Sequence, residues 1–188
     1  MRTDRREITA FFGALCLFLS ALEYLIPKPL PFLRLGLANL PLLIGLRFFE
    51  PADLILVLFL KVLGQGLMNG TLTSYVFLFS LTGSVVSVFM MTLVYRFGGR
   101  YVSLVGVSLS GALGSSLAQT MMAVLFIFGD TARIIAPFSI GAGLVSGFLL
   151  GLFAEKFVSA SGWLRKVEKR YRESLGKPEI PEIPEEVK

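Results

Sequence analysis

Lys61, Gln65 and Asn69 stand four residues apart inside the stretch VLFLKVLGQGLMNG, residues 57 to 70, where most other positions are apolar. Polar groups at i, i+4 and i+8 share one face of a helix, so an amine and two carboxamides form a stripe along it. The chemistry of such a stripe is recognition. The amine serves as charge partner or hydrogen-bond donor to an anionic or electron-rich group, and the carboxamides set its orientation. Metal chemistry has little to work with, because the chain has no histidine and one cysteine, Cys16, which leaves no donor set for a zinc or haem site and no disulfide framework. No cofactor is expected.

The elements that position this stripe follow from composition. Of 188 residues, 54% are hydrophobic and 16% charged, and whole segments are apolar on every side, as lipid-embedded helices are. Six apolar segments recur, at 8–26, 35–47, 52–68, 73–95, 102–128 and 132–157, divided by short polar or Gly/Pro-containing breaks. The expected fold is all-α, an integral membrane bundle of six transmembrane helices over residues 1–157, with both termini on one side. The second segment is shorter than the ~20 residues a straight span needs and contains Pro41, which suits a tilted, kinked or partly re-entrant helix. Gly106/Ser110/Gly114 and Gly143/Gly147/Gly151 recur every four residues, a pattern for close helix packing. The basic start followed by an apolar run also fits a signal peptide, but the small-residue cleavage site is poor and five more apolar segments follow.

Arginine and lysine set the orientation. With a cytoplasmic N-terminus, Arg2, Arg5, Arg6, Arg47, Arg96, Arg100, Lys156 and the basic tail lie inside, and Lys28, Arg34 and Arg133 outside. The net charge of +5 is then a topology signal in the cell membrane, and no nucleic-acid partner is implied. Residues 158–176 place Leu164, Val167, Tyr171 and Leu175 at helical spacing between basic residues, which reads as an amphipathic helix on the anionic cytoplasmic leaflet. A solvated helix without a membrane role fits the same pattern. Residues 177–188, rich in proline and glutamate, read as a disordered tail.

An ionisable group near the bilayer centre costs ~2.5–3.5 kcal/mol on insertion scales, so one that persists faces protein or a wet cavity. Snorkelling would account for Lys61 but leaves Gln65 in need of a partner. Arg34 and Asn39 in segment 2, Gln119 late in segment 5 and Arg133 opening segment 6 fall at a similar depth. Together they predict a substrate pocket open to the outside, with Asp130 the one acid foreseen nearby and a preference for an anionic or electron-rich ligand.

RLGLANLP, Arg34 to Pro41, together with the basic N-terminus, the six short spans and the K-x-x-x-Q-x-x-x-N stripe, resembles the membrane family known both as heptaprenyl diphosphate synthase component I and as Gx transporter. The likeness covers residues 5–157, and that family in turn resembles the substrate-binding S components of energy-coupling factor (ECF) transporters. The resemblance implies a non-enzymatic subunit that captures a small-molecule solute from outside and delivers it through an ECF coupling protein with two cytoplasmic ATPases, surrounded by membrane lipids. It also implies docking on that partner through small residues of helix 1, for which Ala10 and Ala14 in AFFGA stand at the right place.

The synthase half of the family description finds no catalytic residues to match. Prenyl diphosphate synthases hold magnesium diphosphate on aspartate-rich motifs, whereas this chain has three scattered aspartates, Asp4, Asp53 and Asp130, and no P-loop for ATP. A non-catalytic scaffold in an isoprenoid, quinone or flavin-linked redox assembly is the alternative to solute capture. A standalone secondary carrier is disfavoured by small size and the lack of an inverted repeat.

Overall fold

Left-handed Gly36, at φ 76°, opens the least regular part of the chain; the computed structural model describes residues 2–25, 36–68, 70–128 and 132–176. Before it, α1 (Arg2–Leu25) starts with Asp4 in its first turn, where a carboxylate meets the positive end of the helix dipole. After it come a single 3-10 turn, Leu37–Asn39, and α2 (Leu40–Gly45), with Pro41 in the first turn where a missing N–H is tolerated. Every residue of α2 from Pro41 to Gly45 is buried. Its neighbours are α1, α3, α5 and α6.

The chain then reverses. Phe48 and Phe49 donate their N–H groups to the Gly45 carbonyl at 3.1 and 2.8 Å, closing a turn that leads into α3 (Pro51–Met68). The helices that begin at Tyr75, Leu104 and Gly162 each start on a serine cap that satisfies an otherwise orphaned N–H. Ser74 accepts from Val76 at the start of α4 (Tyr75–Gly98), and Ser103 from Gly106 at the start of α5 (Leu104–Ala123). A π-helical turn, Val124–Phe128, extends α5. The long α6 (Ala132–Ala160) is followed across Ser161 by α7 (Gly162–Ser174).

Glycine decides how closely α5 and α6 approach. A Cβ on Gly151 would stand 2.6 Å from the Cα of Val105, and one on Gly147 2.6 Å from the Cβ of Ala112. All three glycines read as a packing stripe in segment 6 therefore meet α5 closely, since a Cβ on Gly143 would fall 2.4 Å from the Ser116 hydroxyl. Gly114 does the same toward α4, where a Cβ would meet Met90 at 2.7 Å.

The outside of the bundle is apolar. Phe59, Leu67, Phe89, Leu125 and Phe126 are each more than half exposed, a surface that suits lipid and would be a liability in water. Four helical stretches, Pro51–Met68, Tyr75–Gly98, Leu104–Phe126 and Ala136–Ala160, are long and apolar enough to cross a membrane. That is a narrower result than the six spans expected. The clearest departure is α2, whose six residues rise only ~9 Å against a hydrocarbon core of ~30 Å.

Helix α7 falls within residues 158–176, and Leu164 and Tyr171 on its apolar side face the protein. Leu164 and Tyr171 are 2% and 0% exposed and join a core cluster with Phe12 of α1 and with Leu42, Phe48 and Phe49 of the α2 region. Residues 177–188 lie outside the described residues.

Candidate functional site

Lys61 is 3% exposed on the inward face of α3. Its ammonium donates to the side-chain carbonyl of Asn39, just ahead of α2, and to the Ser84 hydroxyl of α4 at 3.0 Å. One turn on, Gln65 is 7% exposed, and its Oε1 accepts from Ser80 of α4 at 3.1 Å. The amine thus points into the bundle, where protein donors and acceptors meet it, and snorkelling is not its arrangement.

Gln119 approaches from α5. Its Nε2 donates to Ser115 at 3.2 Å, and Gly83 of α4 leaves it room, since a Cβ there would fall 2.4 Å from that nitrogen. Lys61, Gln65, Asn39 and Gln119 all line one cavity, a narrow hollow of about 60 Å³. Gly143 and Gly147 give its α6 wall small residues, and Ser139 adds a hydroxyl.

The structure therefore brings together four of the seven predicted substrate-binding residues. Arg34 and Asn69 lie outside the described residues. Arg133 belongs to α6 by its backbone, and its side chain lies outside them too. Ala10 and Ala14 are exposed on α1, on the flank of Phe11.

Sequence reasoning missed Glu23, which lines the cavity from α1 at 2% exposure. Asp130, the acid foreseen at this depth, lies outside the described residues. The signal for Glu23 was present, as it is the one acidic residue within the apolar run 8–26. The serines of α4 were missed as well: Ser80, Ser84 and Ser87, all buried, follow helical spacing and supply the hydroxyls opposite α3. With Glu23 and Lys61 lining one cavity, the site holds an acidic and a basic side chain, and a reading from cations alone is incomplete.

These features define a helical membrane protein that encloses a polar cavity among its helices. The family model described as heptaprenyl diphosphate synthase component I matches residues 12–157, and the chain belongs to that family. No curated protein and no solved structure matches it.

Proposed function

We propose that this chain is the solute-capturing membrane subunit of an ECF-type uptake system, acting without catalysis of its own. The observation that carries this reading is the cavity itself. A lysine and a glutamate, each at least 97% withdrawn from solvent, line the same hollow, and burying ionisable groups is costly unless protein or ligand partners meet them. In this reading Lys61 binds an acceptor or anionic group of the solute and Glu23 meets a donor or cationic one. Gln65 and Gln119 set its orientation, and Asn39 holds Lys61 from the α2 side. The same reading assigns Arg34, with Asn39, to the outer rim or wall and Asn69 and Arg133 to further polar contacts with the solute, with both termini cytoplasmic. Ala10 and Ala14, exposed on α1, offer the flat surface on which a coupling protein with paired ATPases would dock.

The family description supports a second reading, a non-catalytic membrane partner of a prenyl synthase or redox assembly. Two measurements separate them. Mild-detergent purification from the native membrane should recover a coupling protein with two ATPases; recovery of a prenyl synthase or redox complex instead would reject the uptake reading. Mass spectrometry of small molecules carried through purification should then find a solute in the wild type whose retention falls roughly tenfold or more in Lys61→Met and in Gln65→Leu, as expected for loss of hydrogen bonds that include a charged partner. Unchanged retention in both would reject the site.

A further inference from the structure

Two polar clusters sit at opposite ends of the buried α2. At the cavity end, Asn39 immediately precedes α2 and accepts from Lys61. At the other end, Asp53 of α3 receives the Arg5 guanidinium at 2.9 Å and the Tyr171 hydroxyl of α7. The Glu50 N–H donates to that same hydroxyl oxygen at 3.2 Å. The Tyr171 ring meets Phe48 and Phe49 with centroids 5.5 and 5.1 Å apart, so α7 is fastened to the turn that ends α2.

Between the two ends, Leu42, Leu43 and Ile44 are 0%, 2% and 4% exposed. A close-packed segment of this kind moves by repacking as a unit and does not deform gradually. The helix fastened to it has the features of a detachable part. Only Ser161 separates α7 from α6, and Gly162 has open space around its Cβ position. The outer side of α7 carries the exposed cations Arg165, Lys166 and Arg170, which keep an undocked helix in water or at a headgroup surface.

We propose that α7 is a latch coupled through α2 to the Lys61 cavity. A change at the cavity that moves Asn39 shifts the Phe48–Phe49 turn and loosens Tyr171. By linkage, release of Tyr171 loosens the seat of α2 at the cavity floor to the same degree.

The chain supplies a reporter for each end. Its single tryptophan, Trp163, lies in α7 with its ring 5.5 Å from Phe11. Its single cysteine, Cys16, is 0% exposed and shares the apolar cluster of Leu42 and Leu43. Full-length protein in lipid nanodiscs is followed by Trp163 emission, by amide exchange over 162–176, and by the alkylation rate of Cys16 with N-ethylmaleimide. No solute is added, so failure here leaves the uptake proposal standing and the reverse also holds.

Asn39→Ala is expected to red-shift Trp163 and speed exchange in α7, although it lies at the far end of α2. Tyr171→Phe is expected to speed both α7 exchange and Cys16 alkylation by roughly tenfold, the effect of removing one hydrogen bond to a charged group. Where the remaining ring keeps α7 seated, Tyr171→Ala removes it as well. Ser110→Ala, on α5 with its hydroxyl bonded to its own helix at Val107, should leave all three signals at wild-type values. The coupling is overturned if Asn39→Ala leaves α7 exchange unchanged, or if α7 opens in a Tyr171 variant while Cys16 alkylates at the wild-type rate.

Discussion

Tyr171 buries its ring among phenylalanines and gives its hydroxyl to Asp53, and both effects act on its ionisation. Burial raises the phenol pKa, and the hydrogen bond to Asp53 raises it further. A folded-state pKa above the unfolded value of ~10 means that the docked helix holds the proton more tightly. The stability this lends is complete below the unfolded value and is lost as pH rises above it toward the folded one. An ultraviolet titration of the wild type should therefore show a phenol that ionises late, and Tyr171→Phe should lack that step; identical curves would remove Tyr171 from the docked position. Arg5 works in the opposite sense of charge, its pKa raised chiefly by the hydrogen bond to Asp53, so it stays cationic throughout that range. At this scale the sequence was informative wherever a polar residue contradicted its apolar surroundings. Lys61 and Gln65 stood out for that reason and are buried together. Glu23 contradicted its surroundings equally but sits near the end of its segment, where an acid also suits an interface, so its type alone did not distinguish a headgroup anchor from a cavity wall. The partnership of Asp53 with Tyr171 spans 118 residues and no local pattern announces it.

The ends of α3 and α6 were legible, since the apolar runs 52–68 and 132–157 fall within three residues of them, whereas α1 begins at Arg2, ahead of its apolar run. The shortness of the second segment was legible from its length and Pro41, whereas the π turn after α5 was not, because it depends on what neighbouring helices leave room for. The glycine stripe of α6 joins sequence to packing most directly. Gly151→Ala would push a methyl group against the Val105 backbone, which cannot rotate away as a side chain can. Overpacking of this kind costs about 1–3 kcal/mol, so a clear fall in thermal midpoint in detergent is expected. Gly141→Ala, on the same helix with no atom within 4 Å of the added carbon, should leave the midpoint unchanged or slightly raised. Equal effects from the two substitutions would mean that α5 and α6 do not meet through this stripe.

For the whole molecule, the direction of each helix ties the two polar clusters to opposite ends of the bundle. Arg5 near the start of α1 pairs with Asp53 near the start of α3, so these two helices run the same way. The turn after α2 and the whole of α7 lie at that same end. The basic residues Arg47, Arg96 and Lys156 fall on turns or helix termini there, and in the orientation proposed above this is the cytoplasmic end, as the positive-inside rule expects. The α3–α4 turn, with Gly70 at φ 62° and exposed Thr73, then faces outward, on the side from which a solute would enter. The wild-type chain provides a quiet background for testing this, because its one cysteine is fully buried. In intact cells Thr73→Cys should react with a membrane-impermeant maleimide, and Ser159→Cys, exposed at the end of α6, should react only after permeabilisation. The reverse pattern would invert the molecule and put Asp53, Tyr171 and α7 outside, beyond reach of any cytoplasmic coupling protein. Labelling of both positions from one side would mean that α4, α5 and α6 together fail to cross the membrane an odd number of times, and the cavity among them could not open to one side while α7 latches on the other.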